Sequence, residues 1–412
     1  MIEQEKVVNS PKHLLAFVLI FDLVLGGSGH LIEFGGVSIR LVLLGITLIV
    51  GLGRTFYSNS HLNKLQLLSI IMILLYTFSF LQGILYNNKA VAGDLYFGYL
   101  TILTSFYFIN IMDTSLMKKM LTYFRVLTII LSIEVILLWL YCFIRGPINV
   151  YNSVNPFLIS KGLGFMDVLG KYPRIFFKSA VFIPIGLFFT FQDIIRNSFS
   201  IIHVISLIIY ALAIICSFSS GFYIFTFIGI IVLLIVNRRI GIGTLSIIVI
   251  FSVLIVFLNS RYSILNILNS RYSENYNPFT FRVHQITNLI SESLHSPLCG
   301  YGFGKEISID YGNGLAARSR FENIWGELLL STGLFGLLIY LCHLKTTCSL
   351  LKIKYNKSGN SHYITIYISI LYLCLMSFTN PFMNNAIGLI YYGMCCGIAS
   401  YDDECFKGNE NE

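Results

Sequence analysis

The sequence is poor in charge and in proline. Only 12% of its 412 residues are Asp, Glu, Lys or Arg, and proline occurs 8 times. A soluble chain carries about 25% charged residues, so the polar surfaces of two or three soluble domains cannot be built from this composition. Disorder is excluded by the opposite test, because chains stay unfolded when hydrophobicity is low and net charge is high. The 9 cysteines are scattered through apolar runs, with no CxxC pair and no Cys/His zinc spacing, which argues against a secreted disulfide scaffold and a zinc site. No Walker A, Rossmann or kinase pattern occurs, so ATP-driven chemistry is disfavoured. The long loops identified below hold no DxD-like acidic pair for a divalent metal. No cofactor is expected.

What the chain has in abundance is apolar and aromatic surface. Hydrophobic residues make up 56%, with 34 Phe and 25 Tyr, and mean hydropathy is +0.75. These values predict an all-α polytopic transmembrane bundle. Runs of about 18 or more apolar residues are long enough to span a bilayer. They lie at 14–32, 37–53, 66–86, 94–112, 121–144, 179–195, 200–217, 219–236, 240–258, 323–342, 362–379 and 383–400. The first run follows Lys6 and Lys12 but is followed by no small-residue cleavage site, so it reads as a span and not as a signal peptide. The runs around 200–236 are nearly continuous, so Ser217 to Gly221 must break or turn.

The net charge of +8 would suggest nucleic acid in a soluble protein. In a membrane protein, basic residues mark cytoplasmic loops, and nucleic acid is not expected as a partner. With the N-terminus inside, the short inner loops collect Arg54, Lys64, Lys118, Lys119, Arg196, Arg238, Arg239, Lys345, Lys352, Lys354 and Lys357, while the short outer loops hold Lys89 and little else. The reading is a single integral membrane domain, 1–412, with both ends cytoplasmic and an acidic tail at 401–412. Two long segments then fall outside, 145–178 and 259–322. Both are rich in aromatic and aliphatic residues, so both are expected to be ordered against the membrane.

The second long segment is the more informative. Val283, Ile286, Ile290 and Leu294 recur at helical spacing over 279–296, which predicts an apolar face resting on the membrane interface or on the top of the bundle. Pro297 ends this helix. Gly300, Gly302 and Gly304 follow at alternate positions and suggest an exposed tight backbone that could approach a ligand closely. Arg318, Arg320 and Glu322 then precede the span beginning at Ile324. A carboxylate at the mouth of a span is costly unless solvated or paired. Glu322 therefore reads either as an interface carboxylate paired with Arg318 or Arg320, or as a base or hydroxyl ligand in an arginine-lined cleft. The first long segment ends on Arg174 and Lys178. These suit either snorkelling anchors or anion ligands, arginine being able to grip phosphate bidentately. Arginines in outer loops suit an anionic lipid head group such as a polyisoprenoid pyrophosphate.

Three stretches resemble the O-antigen polymerase and O-antigen ligase superfamily of bacterial envelope enzymes. One runs from Arg282 through His295-Ser296-Pro297-Leu298-Cys299-Gly300-Tyr301-Gly302-Phe303-Gly304. Another is Glu322-Asn323 followed by Glu327-Leu328-Leu329-Leu330-Ser331-Thr332-Gly333-Leu334-Phe335-Gly336. The third is Arg174 before an apolar run. The resemblance implies a metal-independent glycosyltransferase with GT-C-like helical architecture in the bacterial inner membrane. Its substrates would be oligosaccharides on undecaprenyl pyrophosphate, with membrane lipids and a chain-length regulator protein as further partners. Arg174 and Arg282 match the pyrophosphate-contacting arginines of the family, with Arg318, Arg320, Lys178, Gly300 and Gly302 as further substrate ligands. Glu322 stands where the family has its catalytic histidine. This departure favours a polymerase of lipid-linked repeat units over a ligase that transfers polymer to lipid A core. A flippase of lipid-linked repeats is the rival from another class. It would be expected to line a central cavity with charge, whereas here Glu134 is the clearest deep charge in the sequence.

Overall fold

A computed structural model of the chain describes residues 11–29, 31–34, 37–57, 62–86, 89–169, 172–196, 200–237, 278–310 and 315–401. The described residues form a helical bundle with three small two-stranded hairpins, the first of them β1 (Glu33–Phe34) with β2 (Val37–Ser38). The helices are α1 (Pro11–Leu25), α2 (Ile39–Tyr57), α3 (Lys64–Leu85), α4 (Lys89–Leu100), α5 (Thr104–Ile111), α6 (Thr114–Arg145), α7 (Pro147–Ser160), α8 (Phe182–Arg196), α9 (Ile201–Cys216), α10 (Ser220–Asn237), α11 (Pro278–Ser293), α12 (Ile324–Ser358), α13 (Ser361–Met376) and α14 (Ala386–Ser400). Among the described residues, six segments are long and apolar enough to cross a membrane, and four shorter apolar helices accompany them. Each expected span overlaps helix except 240–258, which lies outside the described residues.

Several helix starts are written in the sequence as caps. Asn63 accepts from the Gln66 amide in a full capping box, and Asp113, Asn323, Asn360 and Asn385 each accept a first-turn amide. The break expected near Ser217 is present between α9 and α10, where Phe218 has φ 46°. The run at 94–112 departs from expectation. It is divided into α4, a 3-10 turn at Thr101–Leu103 and α5.

The centre of the bundle is α14, buried without interruption from Ile387 to Ala399. It packs on α5, with Gly393 against Thr104 and Ser105, and Gly397 against Phe108. Small residues at such crossings let helices approach closely in lipid, where no hydrophobic force separates inside from outside. Polar side chains bond across the same interior. His343 lies 2.9 Å from Ser69 and 2.6 Å from Tyr392. Arg40 is buried against Asp22 at 2.6 Å. Large apolar residues such as Leu14, Ile49, Leu74, Leu137 and Ile235 face outward, as lipid-facing positions do.

The described residues of the first long segment form regular secondary structure. Helix α7 leads into the antiparallel hairpin β3 (Gly164–Leu169) and β4 (Tyr172–Phe177), with Asp167 opposite Arg174. The described part of the second comprises α11, a glycine-containing loop, and the hairpin β5 (Ile307–Asp310) with β6 (Leu315–Arg318). It has a small core of its own, formed by Leu289, Ile307, Ile309, Phe321 and Leu330. Residues 259–277 lie outside the described residues.

Candidate active site

Helix α11 carries the first half of the site. Its buried side is Gln285, Leu289 and Ser293, whereas Val283, Ile290 and Leu294 are exposed. The apolar stripe read from the sequence is thus the outward side of the helix, not the side that meets the bundle. The reason is tertiary. Leu289 fits over Gly326, where an added Cβ would come within 2.9 Å of the leucine, and Gln285 is drawn inward by backbone donors that need an acceptor.

In the loop after α11, Gly300 and Gly302 to Gly304 are buried. Gly300 and Gly302 have φ of 69° and 84°, and their neighbours are the backbones of α12 and α3. The exposed glycine turn expected from the sequence does not occur at these two positions. Instead the loop plugs a break in α12 at Gly333 (φ 64°, ψ −166°). Tyr301 and Gly302 donate to the carbonyls of Leu330 and Ser331, at 2.8 and 2.9 Å. Leu334 donates to Pro297 O at 2.8 Å, and Phe303 donates to Ser79 O in α3 at 2.9 Å. Backbone groups released by the break are therefore paired inside the protein, as lipid-embedded backbone requires.

This scaffold brings Arg282 and Glu322 together. The Nε of Arg282 donates to Oε2 of Glu322 at 3.0 Å, and the side chains are 30% and 44% exposed. The pair is single-pronged. Among the described residues, neither terminal nitrogen of Arg282 nor the second oxygen of Glu322 makes a hydrogen bond to protein. A phosphate oxygen and a hydroxyl are what such groups can still receive.

The remaining candidates are held elsewhere on the same two long segments. Arg320 pairs with Asp94 of α4, not with Glu322. Arg318 is exposed at the end of β6, opposite Ile307. Arg174 lies 3.7 Å from Asp167 and over the Phe165 ring at 5.4 Å. Lys178 donates to Ser28 at 3.3 Å. Glu134, the deep charge of the sequence, lies on the wall of an apolar groove of about 770 Å³ between α1, α6 and α7. Among the described residues the most deeply buried carboxyl group is that of Glu327, 2% exposed. Sequence reading missed both Glu327 and Gln285. The available signal was their placement, Gln285 one turn after Arg282 and Glu327 in the first turn of a span. Among the described residues, no three His, Cys, Asp or Glu side chains gather as metal ligands would.

The fold is thus that of a helical membrane protein with a charged pair at the end of its longest helix. Residues 205–341, which include the whole of α11 and the start of α12, match the family model described as O-antigen ligase. The match is consistent with the O-antigen polymerase and ligase superfamily, whose members are glycosyltransferase-like enzymes. No curated protein matches the chain.

Proposed function

We propose that the protein is an O-antigen polymerase. It joins oligosaccharide repeat units carried on undecaprenyl pyrophosphate at the outer face of the bacterial inner membrane, without a metal. The observation that carries this reading is the Arg282–Glu322 pair, with donors and an acceptor unbonded among the described residues, inside the segment matched by the family model. Both termini are cytoplasmic, because the short loops on that side hold the lysines and arginines.

In this mechanism Arg282 holds the donor pyrophosphate and stabilises its charge as it leaves. Arg174, Lys178, Arg318 and Arg320 extend the anionic site. A hydroxyl of the incoming lipid-linked repeat attacks the anomeric carbon. The new glycosidic C–O bond forms as the bond to the pyrophosphate breaks, and the hydroxyl proton passes to Glu322. The donor bond supplies the energy. Glutamate at the position of the family's histidine supports polymerisation over ligation.

The test is the glycan ladder on lipopolysaccharide in a deletion strain. A single repeat on the core supports a polymerase. Polymer left on its carrier with none on the core would mean a ligase, and loss of all surface repeat units would mean a flippase. Topology is tested by thiol labelling from the periplasmic side. Cysteine placed at Ser308 should react and cysteine at Lys354 should not, and the opposite pattern would discard the orientation and the mechanism.

A further inference from the structure

The backbone that carries Glu322 is fixed by side chains that play no part in the chemistry above. The Phe321 amide donates to Oε2 of Glu327 at 3.2 Å. The amides of Glu322 and Asn323 both donate to Oε1 of Gln285, at 3.1 and 3.3 Å. The Ile324 amide donates to the Ser377 carbonyl at 3.1 Å. Four consecutive backbone donors are thus taken by three other parts of the protein. Gln285 and Glu327 are each 2% exposed. The second oxygen of Glu327 accepts from Asn384 at 3.4 Å, which ties the site to the residues preceding α14. Gln285 also lies on the helix of Arg282, so one amide group sets the distance between the two members of the pair.

We infer that Gln285 and Glu327 are positioning residues, which act as hydrogen-bond acceptors for the peptides flanking Glu322 and thereby aim its carboxylate. The inference rests on the catalytic reading of Glu322. A buried carboxyl in a span is otherwise read as a charge carrier or proton relay. Here each oxygen of Glu327 faces an N–H donor, so acceptor geometry explains its place without titration. A carboxamide supplies the same geometry. Its oxygen receives the Phe321 amide, and its nitrogen donates to a flipped Asn384.

The experiment measures rates of glycan transfer by full-length protein purified in detergent, using the undecaprenyl-pyrophosphate-linked repeat unit of the source strain. Misplacement of a reacting group by about 1 Å costs roughly 10²-fold. Glu327→Leu and Gln285→Met should each fall by about that factor, at matched membrane abundance and melting temperature. Glu327→Gln should keep most of the rate. In a Glu322→Gln background, Glu327→Leu and Gln285→Met should cause no further loss. Three outcomes overturn the inference: wild-type rates for Glu327→Leu and Gln285→Met, a Glu327→Gln rate as low as that of Glu327→Leu, or losses that add to that of Glu322→Gln. Should Glu327→Leu fail to accumulate, Gln285→Met carries the comparison with Glu322→Gln. Full activity of Glu322→Gln alone would instead remove the catalytic reading on which the inference rests.

Discussion

The two long segments between spans hold their arginines in different ways. Arg174 faces Asp167 across a hairpin, with partners seven residues apart in sequence and a gap of 3.7 Å. Arg282 meets Glu322 across 40 residues, at 3.0 Å, between a helix and the approach to a span. The first pair needs only a two-stranded hairpin to form. The second requires α11, its small core and the start of α12 to be docked together. Charge near the membrane is common to both, but only the second pair depends on tertiary structure. That dependence is what a reaction centre requires, since aim is worth more there than attraction.

The comparison can be broken most severely at Glu322. Glu322→Gln keeps the volume and removes the proton acceptor. Loss of a general base costs about 10²–10⁴-fold, so the ladder should shrink to one or very few repeats. If the pair is only a surface contact, worth about 0–1 kcal/mol, the ladder will stay long.

Arg282→Ala comes next. A charge-assisted hydrogen bond contributes about 1.5–3 kcal/mol, which corresponds to roughly 10–100-fold in rate. Lysine should restore little, lacking the planar fork. Arg174→Ala should follow the same pattern if the two segments share the pyrophosphate, and a normal ladder would confine the chemistry to the second segment.

Gly333→Ala tests the scaffold beneath the second pair. An added Cβ would lie 2.3 Å from the Leu298 carbonyl, at φ 64°. Strain of this kind costs about 1–3 kcal/mol before the clash is counted. A lower melting temperature in detergent and less protein in the membrane are the expected results.

Asp167→Asn should have the smallest effect. It removes a half-exposed partner of Arg174, and such pairs contribute about 0–1 kcal/mol. A ladder indistinguishable from wild type is expected, and a large loss would show that the hairpin pair carries aim as well.

Much of the bundle was legible in the sequence because its elements are defined by length and hydropathy alone. The break at Ser217 and the helix after residue 278 follow from composition and spacing. Which side of that helix is buried did not follow. Val283, Ile290 and Leu294 make the more apolar side, but in a membrane protein apolar residues face lipid as readily as core, so periodicity gives an axis without a direction. Gln285 was invisible for the same reason. Its burial depends on amides nearly 40 residues away, and nothing near it in sequence announces them. The glycines misled differently. Three of them at alternate positions do mark a close backbone approach, but the backbone that comes close belongs to Gly333 and to α3.

That plug also bears on the order in which the chain becomes a protein. Gln82 and Gly300 are separated by 218 residues, yet the glutamine amide reaches the glycine carbonyl at 3.3 Å. The loop emerges during synthesis after α3 and before α12, so one of its two docking surfaces does not yet exist when it arrives. Contacts of such long sequence separation form late, and chains are made N-terminus first. Until α12 has entered the membrane, the amides of Tyr301 and Gly302 lack the carbonyls of Leu330 and Ser331 that they meet in the finished fold. A chain halted before Ile324 would therefore hold α3 and the loop side by side without the surface that locks them, and the Arg282–Glu322 pair is among the last contacts of the molecule to form.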